Sequence, residues 1–383
     1  MIYDFDQLPD RRPTESVKWN KYDPDVIPMW VADMDFVSPE PVRRALRERV
    51  DHGVFGYPRD LPELRQVIVD RMQVLHGWQI TSDDIVLIPG VVTGFNMACQ
   101  AFAAGGGVLV QTPVYPPFLS APGASGSLLQ EAELVRDRDG NYCIDWESFQ
   151  SSFTTQTRLF ILCNPHNPVG RVFSRAELIR MADICLRHNV LICSDEIHCD
   201  LIYHGYRHIP IASLDPEIAR HTVTLIAPSK TYNIAGLESS IAIIQDPLLR
   251  KQFQAARRGL VGWVNLFGQV AALAAYRNGQ EWLDQLLVYL EDNRDYLVDF
   301  IREELPCISM AKPEGTYLAW LDCHNAGLGT SPYLFFLDKA RVALNDGVAF
   351  GRPGIGFVRL NFGCPRGMLA QALDCIKNAI TGA

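Results

Sequence analysis

Short apolar runs rich in β-branched residues recur along the chain at 85–88, 108–111, 159–163, 190–193, 223–226 and 241–244. They are apolar at nearly every position rather than at every second one, which predicts strands buried on both faces, as in a parallel sheet. Between several of them the apolar positions take a helical spacing. Ser174-Arg175-Ala176-Glu177 is a capping box that opens a helix running to about His188. Asp60 is placed to cap a second helix over 62–76, with Pro62 in the first turn and Gly77 just past the end. Strands alternating with helices predict an α/β domain over 45–280, its mainly parallel sheet covered on both faces. A long charged helix over 280–305, strands at 316–321 and 357–361 and a helix at 368–380 predict a smaller α+β domain over 281–383. Residues 1–44, rich in Pro and Asp, are expected to pack on the small domain or cross a subunit boundary.

Composition narrows the function. Of 383 residues, 48% are hydrophobic and 21% charged, which is globular rather than disordered usage. The net charge of −9 argues against a nucleic-acid partner, whose binding surface needs clustered Lys and Arg. No run of 18 apolar residues occurs, and Met1-Ile2-Tyr3-Asp4-Phe5-Asp6 lacks the basic stretch of a signal peptide, so neither a membrane span nor export is expected. The ten cysteines are scattered without a Cys-x-x-Cys pair, and Cys99, Cys163, Cys185 and Cys193 sit inside apolar segments. That usage fits buried thiols in a reducing cytoplasm, with no disulfide framework and no metal site.

Chemistry concentrates just past the carboxyl ends of three predicted strands. Asn164-Pro165-His166-Asn167-Pro168 follows the first, Asp195 ends the second, and Lys230 lies in Ala227-Pro228-Ser229-Lys230-Thr231 after the third. In open α/β sheets this is the edge where ligands bind. Amide, carboxylate and amine fit pyridoxal 5′-phosphate (PLP). The amine forms a Schiff base with its aldehyde, the carboxylate pairs with the pyridinium nitrogen and the amide bonds the phenolic oxygen.

Other residues join them with weaker individual signals. Pro89-Gly90-Val91-Val92-Thr93 follows a strand and opens an apolar-periodic stretch, so its backbone N–H groups could hold a phosphate, with the Ser229 hydroxyl beside the lysine. Tyr115, in a proline-stiffened loop, suits stacking on a flat ring, although alone it would read as a packed surface tyrosine. Glu196 reads as a structural acid. His198 either faces the cofactor or packs beneath Asp195. Arg359, on an apolar strand, needs an anion: either an amino-acid α-carboxylate or an acidic residue bridging the domains.

Several blocks resemble the MalY/PatB family of PLP-dependent C–S lyases, within the fold-type-I aminotransferase superfamily, over nearly the whole chain. They include Trp30-Val31-Ala32-Asp33-Met34-Asp35-Phe36, Gly53-Val54-Phe55-Gly56-Tyr57 and Thr112-Pro113-Val114-Tyr115-Pro116-Pro117-Phe118. Cys163-Asn164-Pro165-His166-Asn167-Pro168, Ser194-Asp195-Glu196-Ile197-His198, Pro228-Ser229-Lys230-Thr231 and Val358-Arg359-Leu360-Asn361-Phe362-Gly363 complete the set. The resemblance implies an α/β fold of the PLP-dependent transferase fold type I, with a mainly parallel sheet of the seven-stranded kind between helices and a smaller α+β domain. It makes Lys230 the aldehyde-binding lysine, Asp195 the pyridine partner, Asn167 the phenolate partner and Tyr115 the stacking ring. Arg359 becomes the carboxylate anchor, with Ala32 and Asn167 also in the substrate set. Gly90, Val91, Val92 and Ser229 match the phosphate cup, and His198 belongs to the cofactor set. Tyr57 would reach the phosphate of a neighbouring subunit, implying a homodimer with shared active sites.

Two departures bear on the reaction. Transaminases of the superfamily commonly place an arginine eight residues after the lysine, where this chain has Glu238. A carboxylate there would repel a phosphate, so Glu238 is expected to turn away or pair with a base. His198 stands where many transaminases carry a tyrosine. Both favour β-elimination from cystathionine or another S-substituted L-cysteine, giving thiol, pyruvate and ammonia. Lys230 would take the Cα proton, and Tyr115 or a water would protonate the leaving thiolate. The rivals are a class I/II aminotransferase, a natural-product enzyme acting on a cysteine conjugate by elimination or oxidative decarboxylation, and a PLP-bound regulatory protein.

Overall fold

The computed structural model describes residues 1–138 and 140–382. Its centre is a sheet built from β1 (Ile85–Ile88), β2 (Gly107–Thr112), β3 (Leu128–Arg136), β4 (Tyr142–Ile144), β5 (Thr157–Cys163), β6 (Leu191–Asp195), β7 (Thr222–Ile226) and β8 (Ser240–Ile243). The spatial order is β1-β8-β7-β6-β5-β2-β3-β4. From β7 across to β3 every pairing is parallel, while β8 runs antiparallel to both neighbours and β4 folds back antiparallel on β3. Among the described residues the sheet therefore has eight strands. The expected seven-stranded kind is extended by β4, a short return of the chain at the exposed edge.

The near-continuous apolar runs divide between the two faces by simple alternation. In β5, Leu159, Ile161 and Cys163 join one core cluster, and Phe160 and Leu162 join the other. Register pairs Cys163 with Asp195, and Asp195 with Leu225, at the carboxyl edge of the parallel strands. Helices cover both faces: α1 (Glu40–Asp51), α2 (Pro62–His76), α3 (Val91–Phe102), α4 (Arg175–Arg187), α5 (Leu266–Asn278), α6 (Gln280–Glu304) and α7 (Arg366–Thr381) are the longest. The Ser174 capping box closes in both directions at the start of α4. Asp60 does not cap α2. It pairs instead with Arg65, and the side chain of Gln269 accepts from the Leu61 N–H at 3.1 Å. Gly77 ends α2 in the left-handed conformation, φ +65°.

A second, antiparallel sheet is formed by β9 (Leu318–Asp322), β10 (Asn345–Asp346) and β11 (Phe357–Asn361), with β11 in the middle. The N-terminal segment lies against this part of the chain. Ile27 and Pro28 pair in parallel with Val342 and Ala343, and the Asn361 N–H donates to the Met29 carbonyl at 2.9 Å. From there residues 30–36 run to the carboxyl edge of the large sheet. Asp35, fully buried, accepts from Lys18 Nζ at 2.7 Å, Arg11 Nη1 at 2.7 Å and Trp19 Nε1 at 2.8 Å. The side-chain amides of Asn233 and Asn361 hold the carbonyls of this stretch from opposite sides. Among the described residues no helix is long and apolar enough to cross a membrane.

Candidate active site

A cavity of about 480 Å³ opens at the carboxyl edge of the parallel strands, between the large sheet, the segment 30–32 and β11. Its floor begins with Asp195, 5% exposed at the end of β6. Asp195 Oδ1 accepts from the Ile197 N–H at 3.0 Å. Burial pushes this carboxyl up to about 7, helped by the Glu196 charge and opposed by the Ile197 N–H and Lys230. A carboxylate so desolvated calls for a cation.

Lys230 leaves the single helical turn Pro228–Thr231 that follows β7. Its Nζ donates to the Ala32 carbonyl at 2.6 Å, and the Tyr317 hydroxyl donates to the same oxygen at 2.9 Å. Burial lowers the amine to about 8, with Arg359 acting in the same sense and Asp33 and Asp195 against it. A lysine brought towards neutrality is a competent nucleophile and base.

Arg359 projects from β11 and is 3% exposed. It donates to Asn167 Oδ1 at 2.9 Å, to Asn345 Oδ1 at 2.6 Å and to the Trp30 carbonyl at 3.2 Å, and lies over the Phe350 ring. Among the described residues no carboxylate pairs with it, and its Nε has no partner. Among the described residues the domain-bridging ion pair is not formed. Burial lowers the guanidinium to about 10, opposed by Tyr115 and Tyr317.

The opposite end of the cavity is built on the β1–α3 turn. Gly90, at φ +94°, is the N-cap of α3 and takes a backbone conformation that disfavours any side chain; a Cβ there would meet only Thr93 Oγ1, at 3.9 Å. Val91, Val92 and Thr93 follow in the first turn, where N–H groups have no intrahelical acceptor. Ser229 lines the same end, together with Ser239 and Ser240. The buried Ser239 hydroxyl is without a partner.

Tyr115, half-buried, and Asn167 complete the wall, the Tyr115 N–H donating to the Asn167 carbonyl at 3.2 Å. His198 also lines the cavity. Its ring meets Tyr317 edge-on at 5.9 Å, its Nδ1 is unpartnered, and burial together with the charges of Lys230 and Arg359 lowers it to about 3, so it is neutral.

The structure thus brings together Lys230, Asp195, Asn167, Tyr115, His198, Ser229, Gly90, Val91, Val92, Ala32 and Arg359. It does not bring in Tyr57, which is fully exposed and away from the cavity. Glu238 is exposed among the residues that line the cavity, in the left-handed region, φ +48°, and among the described residues it makes no ion pair. Sequence reasoning missed Ser239 and Asn345, which carry no local signal, and took Trp30 only as part of a family block without giving it a role in the cavity. The residues fit PLP: a lysine amine, a buried carboxylate in need of a cation, and orphaned N–H and hydroxyl donors at the anion end. Among the described residues no cluster of His, Cys, Asp or Glu could hold a metal ion.

Residues 24–376 match the family of aminotransferases of class I and II. The chain belongs to that family. Within it, the chain is 43% identical to the cystathionine β-lyase PatB of Bacillus subtilis over 98% of its own length and 100% of PatB. It is 32% identical to the protein MalY of Escherichia coli, covering 99% of each. Among solved structures, cystalysin of Treponema denticola, which contains PLP, superimposes with a TM-score of 0.95 at 34% identity over 100% of both chains.

Proposed function

We propose that the protein is a PLP-dependent carbon–sulfur β-lyase that cleaves cystathionine or another S-substituted L-cysteine to thiol, pyruvate and ammonia. One observation carries the amino-acid side of this reading. Arg359 is a buried guanidinium with no carboxylate partner among the described residues, on the wall of the cavity that also holds the Lys230 amine. The planar fork matches an α-carboxylate. The full-length likeness to PatB supports elimination over transamination, as do Glu238 and His198.

Lys230 would bind the cofactor, Asp195 its ring nitrogen, Asn167 its phenolic oxygen, Tyr115 its face, and the α3 N-terminus with Ser229 its phosphate. When bound, PLP supplies an electron sink for a carbanion at the substrate Cα. The chain does the rest. Arg359 grips the α-carboxylate and so aims the Cα–H bond at Lys230 Nζ. Burial lowers that amine to about 8 and so raises its free-base fraction near neutral pH, and the Ala32 carbonyl orients the amine. Neutral His198 and the Tyr317 ring exclude water beneath the cavity.

We place the protein in a homodimer. Val54, Phe55 and Tyr57 are exposed in one stretch, at 61%, 57% and 107%, and Trp263 at 75%. Apolar side chains presented in this way fit coverage by a second copy, to whose phosphate end Tyr57 would reach. The scattered, unpaired cysteines support a cytoplasmic location.

The cofactor assignment is tested by loading the protein with PLP, reducing with borohydride and mapping the label. It should sit on Lys230. A label on another lysine, or no label, would contradict the assignment.

A further inference from the structure

One side of the Arg359 fork is already occupied. Nη1 donates to Asn167 Oδ1 at 2.9 Å, while Nη2 donates both to Asn345 Oδ1 at 2.6 Å and to the Trp30 carbonyl at 3.2 Å. Each Nη carries two N–H groups and Nε one, all in the guanidinium plane. Nη2 thus meets two acceptors with two N–H groups. A carboxylate is gripped at two points by Nη2 together with either Nη1 or Nε, because only those pairs aim their N–H groups in parallel. Both grips need Nη2. The buried Nε is unpartnered, yet it has no second prong to work with until an acceptor leaves Nη2.

The two acceptors are not equally free to leave. The Trp30 carbonyl is main chain in a pinned strap. The Met29 N–H donates to the Ala343 carbonyl at 2.9 Å, Trp30 Nε1 to the Lys18 carbonyl at 3.0 Å and Asn361 Nδ2 to the Val31 carbonyl at 2.6 Å. Asn345 reaches Arg359 with a side chain. The two residues are cross-strand partners in β10 and β11, so they stand side by side on one face of the small sheet. Asn345 is half-buried and lines the cavity, and among the described residues its NH₂ group donates to nothing. Rotation of this one side chain clears Nη2 at the loss of a single hydrogen bond.

We propose that Asn345 is a positioning residue whose amide oxygen stands in for one oxygen of the substrate carboxylate on Arg359 and gives way when that carboxylate binds. The proposal rests on the reading of Arg359 as the carboxylate anchor. The chemistry explains the residue type. In the empty cavity an amide oxygen satisfies a buried N–H that would otherwise have no acceptor. Being neutral, it yields to a charged carboxylate, whereas an acid at this position would pair with Arg359 and hold the site shut.

The test measures binding of 3-(methylsulfanyl)propanoate, the S-methylcysteine skeleton without its amine, to the PLP-loaded protein by calorimetry, with melting temperature alongside. Asn345→Ala removes the competing oxygen and should tighten binding about threefold to tenfold, the equivalent of one hydrogen bond no longer lost. Asn345→Asp should weaken it about tenfold or more. Damage to the fold could only weaken binding, so the gain in Asn345→Ala separates the stand-in from a structural role. Weaker binding in Asn345→Ala would make Asn345 a direct donor to the carboxylate, and unchanged binding would mean that it never leaves Arg359; either overturns the proposal. If Asn345→Ala does not fold, Asn345→Ser, whose hydroxyl oxygen lies one bond nearer the main chain, is read by the same outcomes. Failure of the anchor reading looks different: Arg359→Met would bind the acid as well as the wild type does.

Discussion

Arg359 Nη1 donates to Asn167 Oδ1 at 2.9 Å, so the residue that would anchor the substrate also orients the residue that would hold the cofactor's phenolic oxygen. An amide whose oxygen is taken by a guanidinium must turn its NH₂ group away from it, as a donor. One hydrogen bond between the loop after β5 and the strand β11 thus couples the two halves of the cavity.

Asn167→Asp should exploit that contact. The new carboxylate would pair with Arg359 and compete with the substrate for it, raising KM by about tenfold or more, since a charge-assisted bond of this kind is worth a kcal/mol or two. Steady-state kinetics with an S-alkyl cysteine measures this. An unchanged KM would show that Arg359 does not bind the substrate carboxylate.

Arg359→Lys keeps the charge and loses the fork. Its ammonium cannot reach Asn167, Asn345 and Trp30 as the guanidinium does. A loss of about 2 kcal/mol in kcat/KM is expected, carried by both KM and kcat because the Cα–H bond is misaimed. A loss in kcat alone would place Arg359 outside ground-state binding.

Asp195 gives a pH signature in the cofactor-free protein. Its folded value, about 7, lies above the ordinary aspartate value of 3.8, so between these limits the folded state holds more protons than the unfolded state. Stability should therefore fall as pH rises through that window. Asp195→Asn removes the charge while keeping an acceptor for the Ile197 N–H. It should raise the melting temperature at pH 8, and the gain should shrink towards pH 4. A gain independent of pH would mean that Asp195 is not buried as a charge.

The strap that carries Ala32 can be loosened from behind. Lys18→Met leaves the fully buried Asp35 short of one cation, a change that costs about 3 kcal/mol when a buried pair is broken. Thermal unfolding should record the loss. A variant as stable as the wild type would show that Arg11 and Trp19 suffice to hold the loop.

Much of this was legible in the chain because burial on both faces leaves few polar positions. The run 85–88 became β1, and the strand at 357–361 became β11, to the residue. β3 escaped because it is an outer strand: of Leu128–Arg136 only Ala132 and Leu134 are buried, and glutamates interrupt the apolar pattern. Nor did apolar content reveal that β8 reverses direction, since either direction buries it equally. Asp60 misled because a capping position by sequence can be claimed by a nearer cation, here Arg65. In the site, residues just past strand ends were visible, since a polar group that follows a buried run stands out. Ser239 and Asn345 arrive through tertiary packing, and Tyr57 lies outside the cavity.

The central claim is elimination, and the products of one incubation test it. The PLP-loaded protein is given cystathionine without any keto acid, and thiol, ammonia and pyruvate are measured in the same sample over many turnovers. The account predicts the three in equal amounts. Turnover that needs an added keto acid and yields a new amino acid in place of free thiol would contradict it and make the protein an aminotransferase.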